Sequence, residues 1–156
     1  MNTPAWTEAT SSDASIVLGL MEAFYAEERL TFSIGAAELA VNKLLANPEF
    51  GRVFLLKNSA GTDASGVHGH LVVTWGFSLE FGGRYVLLDE LYLKPTLRGS
   101  GWGRNGIELA ASWAREQGAM SLRLEVNRHN AHAREVYLRR GFRDDGRDLF
   151  TRPLVE

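Results

Sequence analysis

The stretch LDELYLKPTLRGSGWGR, residues 88–104, runs from an apolar segment through a proline-marked turn into the glycine-rich start of an amphipathic helix. Strand, turn and helix start in that order put unpaired backbone N–H groups and the positive end of a helix dipole beside the end of the strand. Such a place receives anions. Gly99, Gly101 and Gly103 let a phosphate group come close to the backbone, while Arg98 and Arg104 add side-chain charge. A tight turn that uses glycine for positive φ, with no ligand, is the structural alternative.

Two phosphate loops fit this stretch poorly. The P-loop pattern needs Lys-Ser or Lys-Thr after its last glycine, and no such pair follows. Gly101-x-Gly103-x-x-Gly106 satisfies the dinucleotide pattern, with Glu125 near the spacing of a ribose-binding acid. That pattern starts well past the end of its strand, however, and only roughly 50 residues remain for a fold that needs several more βα units.

Outward from the loop, the periodicities alternate in an orderly way. Upstream, Ile16, Leu20, Ala23 and Phe24 predict a helix over 13–29, with Ser11, Ser12 or Asp13 as its cap, and Ala37, Leu39, Ala40, Leu44 and Leu45 predict a second over 35–46. Short β-rich runs follow at 51–57, 67–77 and 85–93, joined by turn signals at 58–66 and around Gly82-Gly83, and describe an antiparallel meander. Downstream come a helix from the loop to about Gln117, stopped by Gly118, a strand over 121–126, a helix near 129–140, and strands around 141–145 and 147–152. The expected fold is a mixed α+β domain over 1–156, with a twisted mixed sheet of about six to seven strands flanked by about four helices.

Composition narrows the function. The chain has 156 residues, 45% of them apolar and 23% charged, which is globular rather than disordered. No window approaches ~18 uninterrupted apolar residues, and the first residues lack the basic and apolar regions of a secretory signal, so a cytoplasmic protein without membrane segments is expected. With no cysteine there is no disulfide scaffold, no thiolate nucleophile and no cysteine-ligated zinc. The net charge of -2 divides unevenly: residues 1–97 carry -5 and residues 98–156 carry +3, with arginine as 14 of the 17 basic residues. An anionic ligand thus favours the C-terminal half, and a cationic one mildly favours the N-terminal half. Arg128, Arg134, Arg139 and Arg140 on one predicted helix raise nucleic-acid binding as an alternative, which the pI near 6.1 opposes.

Arg98-x-x-Gly101-x-Gly103 resembles the acetyl-coenzyme A pyrophosphate loop of the GNAT superfamily of N-acetyltransferases. Residues 88–93 resemble that family's central strand, and 127–142, from Asn127 to Phe142, resemble its final conserved segment; the three occur in the family's order over about residues 85–145. The resemblance implies a GNAT-like acyltransferase fold and transfer of an acetyl group from acetyl-coenzyme A to a primary amine in a ternary complex. The acceptor would be a small amine, an amino acid or polyamine-like molecule, or a peptide amine. The alternative is a coenzyme A-sensing or partner-binding module without turnover. Direct attack by the amine needs no enzyme nucleophile, in keeping with the lack of cysteine and of any G-x-S-x-G elbow.

The resemblance also implies roles for residues. Backbone groups of Leu91, Tyr92 and Leu93 would pair with the pantetheine arm; Arg98, Gly99, Ser100, Gly101, Trp102, Gly103 and Arg104 would hold the pyrophosphate. Tyr137 would protonate the coenzyme thiolate, its alternative being a core aromatic. Asn130 would contact the coenzyme or cap its helix. For the base, Glu90 is the candidate if Leu88, Glu90 and Tyr92 share a face, with Asp89 or a water as fallback and pairing with Arg84 or Arg123 as the structural alternative. Tyr25, Glu28, Trp75, Phe77, Glu80 and Tyr85, together with Glu27, supply acidic and aromatic groups suited to a cationic amine, although Trp75 and Phe77 on one strand face are more often core. His68 and His70 lie two apart on a strand, but with no third ligand in view they read as hydrogen-bonded side chains and no metal is expected. A homodimer is the default expectation for such a fold.

Overall fold

Apolar residues dominate 51–58 and 67–78, and in the computed structural model, which describes residues 3–59 and 66–155, these become the middle of a sheet. The chain divides into two compact units, residues 1–124 and 125–156. In the first, β1 (Pro4–Glu8) leads through a 3-10 turn (Ser11–Asp13) into α1 (Ala14–Glu28) and α2 (Ile34–Ala46). Strands β2 (Gly51–Asn58), β3 (Val67–Ser78) and β4 (Gly83–Leu93) follow, then a 3-10 turn (Pro95–Leu97), α3 (Trp102–Glu116) and β5 (Leu122–Leu124). The five strands lie in chain order, antiparallel from β1 to β4, with β5 parallel to β4.

The helices cover opposite faces because the strands alternate. Val17 and Leu20 of α1 and Val41 of α2 pack with Val53, Leu55, Val72 and Tyr92 on one face. Ala110 and Ala114 of α3 pack with Phe54, Leu71, Val73, Val86 and Leu88 on the other. Leu55, Leu56 and Leu71 are fully buried, and each such side chain contributes about 1.5–3 kcal/mol through the water it leaves. No helix among the described residues is long and apolar enough to cross a membrane.

At the entry to α1, Asp13 accepts a hydrogen bond from Lys57 Nζ at 2.6 Å and from the Thr10 backbone N–H at 2.8 Å. Burial alone would raise this carboxyl; the bonds from Lys57 and Thr10 outweigh burial and hold it below the usual 3.8. A depressed carboxyl contributes stability that is present above its unfolded value and is lost as the pH falls through the folded one. Asp13→Asn should therefore lower the unfolding temperature at neutral pH, and by progressively less at acid pH once the pH falls below the usual 3.8. A loss of the same size at both pH values would assign the effect to shape instead of charge.

The second unit holds α4 (Ala131–Arg139). Asn130 caps it by accepting from the Ala133 backbone N–H at 3.1 Å. The strands expected at 141–145 and 147–152 are absent, so the sheet has five strands among the described residues instead of six to seven. Gly141 and Gly146 take φ of +86° and +66°, and the Asp144 carboxylate accepts from the Gly146 N–H at 2.8 Å and from Arg134 at 2.6 Å. Between Phe142 and Leu149 every residue is charged or glycine, so local turns win over a ladder. β1 is the converse case, a strand that the sequence reading passed over.

Candidate active site

Strand β4 is regular up to Leu88 and then is not. Val73 lies opposite Leu88 but Val72 lies opposite Glu90, so Asp89 is an extra residue, a β-bulge, with no counterpart on β3. The bulge breaks the two-residue alternation. Val86 and Leu88 bury against α3, whereas Tyr92 packs beside Val17 and Leu20, and Glu90 meets α1. The expectation that Leu88, Glu90 and Tyr92 share a face is thus corrected: Leu88 is on one face and the other two are on its opposite. The parallel ladder with β5 covers Val86 to Leu88 and ends there. Beyond it, Leu91, Tyr92 and Leu93 have β3 as their one strand partner among the described residues.

Glu90 is 8% exposed and both its oxygens are bonded. Tyr25 Oη donates to Oε1 at 2.7 Å, and His70 Nε2 lies 2.7 Å from Oε2. Of the two arginines considered as its structural partners, Arg84 sits over the Trp75 ring at 3.7 Å, and Arg123 over the rings of Phe81 and Tyr85. Burial, then the hydrogen bond to Glu90, pushes the Tyr25 phenol well above its usual 10. Tyr25 therefore stays protonated and keeps donating. Around this group, the Phe24 ring meets those of Tyr25, His70 and Tyr92 at 5.7–6.2 Å, and Phe32 meets Tyr25 at 5.6 Å. His70 is fully buried and was not singled out as a site residue from the sequence. Its only signal there was the His-x-His spacing. The two histidines separate in their partners, since His68 bonds the Asn58 side chain at 3.0 Å. No group of three His, Asp or Glu side chains able to hold a metal occurs among the described residues.

The glycine-rich loop carries the conformations that its residues foretold. Gly99 and Gly101 take φ of +74° and +90°, and a Cβ built at either would meet no atom within 4 Å. Gly101 caps the fifteen-residue α3, which starts at Trp102. The N-terminal N–H groups of that helix and the open space over the two glycines suit an anionic group. Gly103 and Arg104 are in the first turn, and the Ser100 hydroxyl donates to Leu97 O. Trp102 lines, with Pro4 and Trp6, an open groove of about 430 Å³ between β1 and α3. Arg98 donates from Nε to Leu93 O at 2.9 Å and pairs with Glu27 of α1 at 2.6 Å. Its guanidinium also lies 5.6 Å from the centre of the Tyr92 ring. Burial first, then the Glu27 charge, raises the Tyr92 phenol.

The residues expected around the acceptor scatter. Tyr25 is at the buried carboxylate and Glu28 closes α1, exposed. Trp75 packs against Trp113 of α3 at 5.5 Å, on the face away from Tyr25 and Glu90, so it belongs to the core. Phe77 is 70% exposed near the β3–β4 turn, Glu80 lies in that turn, and Tyr85 stacks with Arg123. In the second unit, half-buried Tyr137 packs edge-on against Phe142 at 5.7 Å. Three of the four arginines that raised nucleic-acid binding have carboxylate partners: Arg128 pairs with Asp148, Arg134 with Asp144 and Arg139 with Glu135. Such pairing subtracts from a nucleic-acid face.

A model of the acetyltransferase (GNAT) family matches residues 21–142, and the chain belongs to that family. It is an acetyltransferase. Streptothricin acetyltransferase of Streptomyces lavendulae is 28% identical over 163 residues, covering 94% of this chain and 85% of that one. Among solved structures, an integron cassette protein from the mobile metagenome of Cole Harbour Salt Marsh superposes with a TM-score of 0.81 at 30% identity, over 97% of this chain and 91% of that one. An aminoglycoside N-acetyltransferase solved in complex with coenzyme A has the same fold, with a TM-score of 0.81 at 14% identity over 99% and 97% of the two chains.

Proposed function

We propose that the protein transfers an acetyl group from acetyl-coenzyme A to the primary amine of a small cationic molecule by direct attack in a ternary complex. The observation that carries this reading is the buried, doubly bonded Glu90 placed just past the point where β4 leaves β5. There the backbone of Leu91 to Leu93 can pair with the amide groups of a pantetheine arm, and the Gly99–Arg104 loop can hold its pyrophosphate. Glu90 takes the proton that the amine must lose before its lone pair can attack. The Asp89 charge acts on Tyr25 beside Glu90, and negative charge there favours an ammonium. The relation to a streptothricin acetyltransferase also favours a small-molecule acceptor over a protein.

Tyr137, by its position in the family's last conserved segment, is the acid that returns a proton to the coenzyme sulfur. Tyr137→Phe should lower kcat about 100-fold with coenzyme affinity unchanged, since only a proton donor is lost. Steady-state kinetics paired with calorimetric titration reads both; unaltered turnover would assign the proton to water.

The reading is tested by thermal shift with acetyl-coenzyme A, coenzyme A, NAD and ATP in parallel, since a ligand at 100 times its Kd stabilises a fold by about 2.7 kcal/mol. Streptothricin, an aminoglycoside and thialysine would then be offered as acceptors while thiol release is followed. A shift with the two coenzyme A species alone and release with one of the amines is the expected result. A shift with NAD in their place, or silence with all four, overturns it.

A further inference from the structure

Glu90 cannot meet an amine face to face while both its oxygens are engaged and only 8% of its surface is open. Of its two partners, His70 is fully buried and Tyr25 is half-buried. We propose that Tyr25 is the catalytic residue that touches the acceptor amine and relays its proton to Glu90, and that His70 is the positioning residue that holds Glu90 ready to take it. This rests on the transferase reading above and adds to it a defined proton path.

The unpartnered Nδ1 of His70 fixes the chemistry at the inner end. That atom is buried and has no hydrogen-bond partner. A proton there would be an orphaned buried donor, and would leave the bare lone pair of Nε2 facing a carboxylate at 2.7 Å. The proton is therefore on Nε2. His70 donates from Nε2 to Glu90 Oε2, and the carboxylate is left with Oε1 as its receiving atom. The hydroxyl of Tyr25 already points its proton at Oε1.

The step balances as follows. The acceptor ammonium gives one proton to Tyr25 Oη as Tyr25 passes its own to Glu90 Oε1, so that Tyr25 is unchanged and Glu90 becomes a neutral carboxyl. The freed lone pair of the amine forms the new C–N bond at the thioester carbonyl carbon, and the C–S bond breaks with its electron pair staying on sulfur. The nitrogen, cationic once bonded, loses its second proton, which ends on that sulfur. Glu90 later returns the first proton to water by the same hydroxyl.

The test has two arms. In 15N spectra of histidine-labelled wild-type protein, His70 is expected with Nε2 protonated and Nδ1 bare; a proton on Nδ1, in the neutral or the charged ring, overturns the assignment. In kinetics with the fastest of the three amines above, Tyr25→Phe is expected to lose about 100-fold in kcat with coenzyme A affinity unchanged. His70→Leu should lose kcat likewise, and His70→Gln, which restores an N–H donor, should recover most of it. Full activity of Tyr25→Phe overturns the relay, and equal losses in His70→Leu and His70→Gln reduce His70 to packing. Wild-type protein that releases no thiol with any amine overturns the transferase reading instead, and the relay with it.

Discussion

Glu90→Gln is expected to lower kcat by about 100- to 10,000-fold, the range that a positioned general base supplies, with coenzyme affinity unchanged. The substitution keeps the shape of the side chain. An amide can still accept from His70 Nε2 with its oxygen and turn its NH2 toward the Tyr25 oxygen, so the buried trio remains hydrogen-bonded and the fold is conserved. What disappears is the atom that takes a proton. Activity at saturating acetyl-coenzyme A, compared with calorimetric Kd for the coenzyme, separates the loss of chemistry from a loss of binding. A variant with wild-type kcat would return Glu90 to the role of a structural carboxylate.

Gly101→Val is expected to weaken coenzyme A binding at least 100-fold. At φ +90° a β-branched side chain is strained, at a cost on the order of 1–3 kcal/mol. The side chain would also project into space that holds no protein atom within 4 Å, at the cap of α3 where a pyrophosphate would lie against the helix N–H groups. Because the site is open, the variant should fold, with a modest drop in unfolding temperature. Titration with coenzyme A reads the effect directly. Binding at wild-type strength would show that the loop is a turn and no more.

Much of this architecture is legible in the sequence because its signals are local. Gly99 and Gly101 announce positive φ, the apolar runs of β2, β3 and β4 announce buried strands, and Gly118, at φ +75°, ends α3 as a residue without a Cβ can. The parts that were not legible depend on contacts remote in sequence. β1 has only Trp6 as a large apolar residue, and it is a strand because β2 offers it an edge. Nothing in Leu88-Asp89-Glu90 marks Asp89 as the extra residue, since the insertion exists only relative to the register of Val72 and Val73 on the neighbouring strand. The same shift decided which carboxylate meets α1. His70 and Tyr25 are 45 residues apart, and only the packing of α1 on the sheet gives them a carboxylate in common.

The sheet ends at β1 in a strand of five residues that begins with a proline, which has no N–H to offer, and finishes at Glu8 beside Arg52. An exposed sheet margin is a template on which a stray extended chain can dock and polymerise, and a short margin with a missing donor and a charged tip gives such a chain little to hold. The long, strongly apolar strands β2 and β3 are thereby kept from the outside. Trimming the first eight residues would uncover β2 from Phe54 to Asn58, and the expected consequence is precipitation during expression rather than a change in catalysis.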